Sequence, residues 1–277
     1  MMVKLSVALT ALMVLAAVGN AQTPAWKFQW KTGQVLTYKV EHTTSATEVL
    51  EGKKSVTTSK LNNSKRWQVL EVDAAGMATL QLSLTALRIQ NTTPTGEVML
   101  FDSANLEGSN PQMREQLTKY VDEPLVTLKV NSRGKVIEVK ECKFGSAGRF
   151  ESEPPFLVIL PEQAGQKEWE RNYAITLEPP HGTGEKFEAV QKYAIQAANE
   201  KAARIAWTTT LKSPPETAND QIPLLQMQPE GQVIFNHQTG MVEIGRLTVD
   251  KEVKGHQGEG SSYRFQSVYT EEYAANK

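Results

Sequence analysis

The sequence predicts a mainly β protein: two tandem antiparallel β-meander units forming a curved sheet or half-barrel, with one short helix near 111–121. Three observations carry this expectation. Apolar and polar residues alternate along most of the chain, as in "LTYKVEH", "ATLQLSL", "LVTLKV", "RIAWTTTL" and "YRFQSVY", the period of half-buried strands. Residues that favour tight turns punctuate these runs. The order of strands and turns also occurs twice.

The first residues, "MMVKLSVALTALMVLAAVGNAQTPAW", place Lys4 before an apolar run from Leu5 to Val18 and the small residues Gly19 and Ala21. This is the layout of a secretory signal peptide cleaved after Ala21; the run falls short of the roughly 20 apolar residues a membrane span needs. No cysteine near the cleavage site offers a lipid attachment point. The expectation is a secreted or periplasmic protein with no transmembrane segment in its mature chain. Loss of Lys4 leaves 29 basic residues against 31 acidic ones, a balance that gives no electrostatic footprint for nucleic acid or anionic lipid, both of which need clustered Lys and Arg.

In the first unit, residues 22–147, the entry strand is "KTGQVLTYKV", with Gly33 ahead of Tyr38. A long hairpin follows, in which "DAAG" (Asp73 to Gly76) joins "RWQVLEV" to "MATLQLSL". The linker after it contains "NPQMREQLTKYV": Asn110 is an N-cap candidate, Pro111 suits the first helical position, and Met113, Leu117, Tyr120 and Val121 share a face. A shorter hairpin, "VNSRGKVIEV", turns at Gly134.

A proline-rich connector, residues 148–165, comes next. Its apolar run Phe156 to Leu160 is fenced by Pro155 and Pro161, which keeps it from being a central strand and suits a buried connector.

The second unit, residues 166–277, repeats the order. Gly165 and Trp169 precede the entry strand around Tyr173, and "NEKA" (Asn199 to Ala202) joins "KYAIQAA" to "ARIAWTTTL". After the linker "KSPPETANDQIPLLQMQPEG", read as lacking a helix, "FNHQTGMVEI" turns at Gly240. A last strand spans about Tyr263 to Tyr273. This shared order predicts an internal duplication.

The leader, "KTGQVLTYKV", "FDS", "ILPEQAGQKEW" and "GQVIFNHQTGMVEI" together resemble a group of uncharacterised secreted bacterial proteins, common in planctomycete-type genomes, with a β-rich fold. The resemblance spans nearly the whole mature chain. Its motifs are strand starts and turns, so it implies an exported β fold and brings no site residues.

A direct search for chemistry assigns no catalytic, cofactor-binding or metal-ligating residue, and no cofactor. His42, His181, His237 and His256 form none of the i, i+2 or i, i+4 pairs of a metal site; His237 and His256 fall in polar loops where solvated side chains are expected. "EVMLFDSANL" resembles the start of an aspartic protease half-site, but Ala104 stands where glycine is needed, so Asp102 and Ser103 are read as a strand-end turn. "PPHGTGEKF" is followed by a strand instead of a helix and reads as a hairpin loop, not a phosphate cradle. Asn62 and Asn91 match the glycosylation pattern and are ordinary loop asparagines in a bacterial chain. Cys142, the only cysteine, closes no intrachain disulfide and reads as an inert structural thiol.

What remains is an exported, non-catalytic protein that binds a lipid or other hydrophobic molecule in the cell envelope. The alternatives are an envelope structural or protein-interaction module and, ranked last, a hydrolase. A lined cavity of several hundred Å³ separates the first from the second.

Overall fold

The computed structural model describes residues 26–179 and 181–275, so the leader expected over residues 1–21 lies outside the described residues. The first half forms β1 (Val35–Leu50), β2 (Lys53–Val72), β3 (Ala78–Thr92), β4 (Val98–Asp102), β5 (Pro124–Val130) and β6 (Val136–Cys142). The second forms β7 (Glu168–Thr176), β8 (Lys186–Ala198), β9 (Ala202–Leu211), β10 (Glu230–Asn236), β11 (Met241–Lys254) and β12 (Ser262–Ala274). All twelve belong to one antiparallel sheet of order β6-β5-β3-β2-β1-β12-β11-β10-β9-β8-β7, with β4 beside β3. Both halves run across it in the same direction, and β12 joins β11 to β1.

The turns form as their residues dictate. Asp73 Oδ1 accepts from the amides of Ala75 and Met77, and Asn199 Oδ1 from those of Lys201 and Ala202. Between β1 and β2, Glu51 and Gly52 both have positive φ, the requirement of a two-residue hairpin turn. That turn is hidden in the sequence because the strand ends around it, "TTSATEV" and "SVTTSK", are polar on both faces. Their register comes from β12 and β3 on either side.

In β3 the apolar phase changes from Leu80 and Leu82 to Leu87 and Ile89. The structure places a bulge there, with Lys65 opposite Leu84 and Ser64 opposite Ala86, leaving Thr85 unpaired. The extra residue returns the later leucine and isoleucine to the inner face.

Helix α1 (Pro111–Leu117) is capped by Asn110, whose side chain accepts from the amides of Gln112 and Met113. The expected face, Met113, Leu117, Tyr120 and Val121, is half-buried. Two further helical pieces correct the expectation of a single helix. Helix α2 (Ala147–Ser152) lies in the connector, and α3 (Ala218–Gln221) with a 3₁₀ turn over Ile222–Met227 lies in the linker read as helix-free. Each is capped by a side chain, Ser146 or Thr217, and each is too short to show a periodic stripe.

An open curved sheet needs its concave face covered, and two segments do this. The connector packs Phe156, Val158 and Leu160 into the main core, where Phe156 meets the rings of Phe28, Trp30, Tyr38 and Trp67. An extended strap, Trp26 to Trp30, runs across the turn end of the sheet. Its Phe28 amide donates to Ser132 O at 2.8 Å and its Gln29 amide to Gly240 O at 3.2 Å. The two short hairpins of the sequence thus grip one segment. At the edges, α2 packs against both β6 and β7, and Trp169 Nε1 of β7 donates to Ile159 O of the connector at 2.8 Å.

The grip depends on glycine. Gly134 has φ +85°, and a Cβ there would lie 2.6 Å from Phe28 Cε2 and 2.9 Å from Val158 O. Gly134→Ala is expected to lower stability by roughly 2–3 kcal/mol through overpacking and left-handed strain. Gly33→Ala, with φ +82° but open space, is expected to lose only the ~1 kcal/mol of strain. Urea unfolding of both variants checks this; equal losses would remove the strap from the account.

Candidate functional site

The turn end holds a hollow of about 950 Å³. Its wall is the strap from Trp26 to Trp30, and its sides are the turns of both halves: Val72 and Ala74 to Gly76, Ser132, Ala198 to Glu200, and His237. Alternation along the strap sends Phe28 and Trp30 into the core, where their rings stack with centroids 5.0 Å apart. Trp26 stacks in parallel on His237 with centroids 5.5 Å apart, and His237 Nε2 lies 2.8 Å from Asn199 O. Trp26, Val72 and the alanines give the lining its apolar part, and Lys27, Gln29, Ser132, Asn199, Glu200 and His237 its polar groups.

Beyond the aromatic plug, the inner face carries a polar layer. The register places His42 beside Tyr269, and Val40 between Asn63 and Glu271. Glu271 is fully buried; its Oε2 accepts from Lys65 Nζ at 2.7 Å and from Tyr269 Oη at 2.5 Å. Its Oε1 and Asn63 Oδ1 have no hydrogen-bond partner among the described residues. His42 Nε2 lies 3.0 Å from Ser267 Oγ. Across the concavity, Arg171 donates to Gln191 and to Ser152 O, Tyr193 Oη donates to Gln191, and Gln191 donates to Thr209.

Burial sets the protonation behaviour of this layer. His42 is held below its ordinary value by burial, then by the positive charges of Arg149 and Lys65, so its imidazole is neutral at neutral pH. Burial and then the Glu271 carboxylate push Tyr38 and Tyr269 well above the usual phenol range. Burial pushes Tyr193 up to about 12.

The sequence candidates separate clearly in space. His181 is exposed in the β7–β8 loop, which closes as a hairpin through the Leu177 amide on Glu185 O and the Gly184 amide on Leu177 O. Asp102 and Ser103 form the expected turn, Asp102 Oδ1 accepting from the Ala104 amide and Ser103 Oγ from the Leu87 amide. Cys142 is half-buried, its thiol 3.3 Å from Phe144 O. Asn62 and Asn91 sit on paired strands β2 and β3, not in loops.

His256 corrects the expectation of a solvated ring. It is 6% exposed, with Nε2 3.1 Å from Glu48 Oε1 on β1, because the β11–β12 turn folds over that strand's far end. His237 is half-buried against Trp26, which corrects its reading too. Among the described residues no group of three or more His, Cys, Asp or Glu is placed to hold a metal ion.

Sequence reasoning missed the His42–Ser267 contact, since 225 residues separate the pair. It meets one requirement of a nucleophile–base couple. Among the hydrogen bonds of the described residues none reaches His42 Nδ1, so no acid orients the ring, and Ser267 lies on a central strand whose neighbours are β1 and β11.

No protein-family model matches the sequence, and no curated protein matches it. Among solved structures, the fold resembles that of lipovitellin, described for its lipid–protein interactions, with a TM-score of 0.50 and 12% identity over 88% of this chain and 25% of lipovitellin. This chain therefore spans about a quarter of that protein. DynF of the dynemicin biosynthesis pathway of Micromonospora chersina scores 0.22, at 6% identity over 95% of this chain and 92% of its own. A DUF1329 family protein from Desulfovibrio piger scores 0.16, at 8% identity over 88% and 85%. What the first likeness defines is a shared fold, a large open antiparallel sheet.

Two outcomes test the polar layer. Lys65→Met leaves the Glu271 carboxylate buried without its cation and is expected to cost about 3–5 kcal/mol, while Lys65→Met with Glu271→Leu recovers most of it; urea unfolding measures both. Unfolded tyrosines ionise near pH 10, below the folded values of Tyr38, Tyr193 and Tyr269. The stability they contribute is present below about pH 10 and is lost as pH rises from there towards 12. Absorbance at 295 nm recorded with circular dichroism is expected to show these phenols ionising together with alkaline unfolding.

Proposed function

We propose that this chain is an exported binding protein that holds a hydrophobic, lipid-like molecule in the hollow at the turn end of its sheet. The observation that carries the reading is the hollow itself. Its volume of about 950 Å³ sits at the upper end of the range of sites that bury small ligands. Its lining includes Trp26, Val72 and several alanines, with Phe28 and Trp30 turned into the core behind it. An apolar molecule there removes apolar surface from water at roughly 25 cal/mol per Å², and Lys27, Asn199, Glu200 and His237 are at hand for a polar end.

Lipovitellin, described for its lipid–protein interactions, lends the reading a precedent in fold. An open sheet whose concave side is covered by separate segments leaves space at its ends more readily than a closed barrel filled by its own side chains. No helix among the described residues is long and apolar enough to cross a membrane. The exposed large apolar residues Leu70, Val98, Leu106, Ile137, Ile244 and Val268 fall on five strands and one loop. That dispersal favours a binding protein over a module assembling through one apolar patch.

Titration with the neutral probe N-phenyl-1-naphthylamine is expected to quench tryptophan fluorescence and raise probe emission. Ala198→Trp, which fills the hollow from its rim, is expected to weaken probe binding tenfold or more without changing the melting temperature. Protein purified natively from its own host is expected to carry an apolar molecule detectable by mass spectrometry. Absence of both the probe signal and a bound molecule would overturn the reading.

A further inference from the structure

The hollow at the turn end carries two charges of opposite sign that the fold itself does not use. Of the residues that line it, Lys27, Glu200 and His237 are ionisable. Lys27 and Glu200 are exposed, and among the described residues neither side chain makes a hydrogen bond or an ion pair. Asp73, in the β2–β3 turn beside the hollow, differs: Lys129 Nζ lies 3.4 Å from its Oδ2, and two turn amides donate to its Oδ1.

A chain of contacts joins the two charges. Lys27 follows Trp26, whose ring stacks on His237 with centroids 5.5 Å apart. His237 Nε2 lies 2.8 Å from Asn199 O, and Glu200 is the next residue. Both backbones are anchored: the Phe28 amide after Lys27 donates to Ser132 O at 2.8 Å, and Glu200 O accepts from Gln238 Nε2 at 3.1 Å. An ammonium on the strap and a carboxylate on the β8–β9 turn are thus set on one hollow without meeting as an ion pair.

His237 adds to the carboxylate side. A backbone carbonyl can only accept, so the contact with Asn199 O puts the proton of the neutral ring on Nε2 and leaves Nδ1 an acceptor. No hydrogen bond among the described residues reaches that Nδ1. A singly charged acid would suit Lys27 and leave Glu200 facing it unpaired, and an uncharged ligand would use neither charge. A group that carries both signs complements both sides.

We infer that the hollow takes a zwitterionic headgroup, its acid oxygens on Lys27 and its ammonium against Glu200 and His237. This rests on the reading of the hollow as the site of a lipid-like ligand and names that ligand's polar end. The net charge of −1 at pH 7 agrees with it, since it gives no general attraction to anionic lipid.

Isothermal titration calorimetry at low salt compares lauroyl lysophosphatidylethanolamine, lauroyl lysophosphatidylglycerol and monolauroylglycerol, each below its critical micelle concentration. O-phosphoethanolamine is the probe without a chain. The zwitterionic lipid is expected to bind roughly fivefold tighter than the other two, the size that exposed charge pairs allow, and added salt is expected to shrink the preference. Glu200→Gln is expected to abolish the preference over the anionic lipid. Lys27→Gln is expected to weaken both phosphate-bearing lipids by roughly the same factor and to leave monoacylglycerol binding unchanged. Binding of O-phosphoethanolamine within about twofold of the lipid identifies a free zwitterion as the source, and much weaker binding identifies a lipid; either supports the charge pairing.

If the three lipids bind within about twofold of one another, or if both glutamine variants keep the wild-type order of affinities, the assignment fails. Both side chains are exposed and bonded to nothing among the described residues, so the variants are expected to keep the wild-type melting temperature. The comparison of lipids on the wild-type protein needs no variant. N-phenyl-1-naphthylamine is expected to bind equally well to all of these proteins. Absence of its signal counts against the hollow as an apolar site, whereas a probe signal without discrimination among the lipids overturns the headgroup assignment alone.

Discussion

A sheet of twelve strands that does not close has a concave face to cover, and the aromatic contact among Phe28, Trp30, Phe156 and Trp67 is where this happens. Phe28 and Trp30 come from the strap, Phe156 from the connector, and Trp67 from β2. These residues are scattered in sequence, so the cluster exists only once the sheet has curved. Curvature in turn is held by the same segments: the strap bonds to the turns of β5–β6 and β10–β11, and the connector carries the chain from edge strand β6 to edge strand β7. Core filling and sheet shape are one constraint, which is why a methyl group at Gly134 disturbs both.

Below the plug the inner face turns polar, and the change has a physical cost that the fold offsets locally. Glu271 loses its water completely, which is tolerable only because Lys65 and Tyr269 converge on one of its oxygens. The bulge at Thr85, beside Lys65, lets β3 change phase at the level where apolar packing gives way to hydrogen bonding. The layer then continues through Arg171, Gln191 and Thr209 on the other side of the concavity. Two environments of opposite character therefore share one concave face: the aromatic plug that backs the hollow, and a charged floor.

The edges of the sheet are managed without closure. Exposed edges invite pairing with other chains, and here α2 packs on both β6 and β7 while the connector accepts a bond from Trp169.

The sequence by itself determined most of the strands, because alternation of apolar and polar residues has only one regular solution, and it determined the turns at Asp73, Asn199, Gly134 and Gly240, which have local reasons to reverse the chain, but not the turn at Glu51 and Gly52, whose flanking strand ends are polar on both faces. It also marked Asn110 as the start of α1 and the run from Phe156 to Leu160 as buried. Each of these rests on interactions within a few residues. It did not reveal α2 or α3, whose single turns leave no periodic trace, nor the burial of His256, which depends on a carboxylate 208 residues away. The placement of His42 beside Ser267, of Lys65 beneath Glu271, and of both hairpin turns around one strap was decided by tertiary structure alone. Strand pairing across the sheet joins residues whose separation along the chain carries no signal, and only the curvature of the finished sheet brings them within reach of one another.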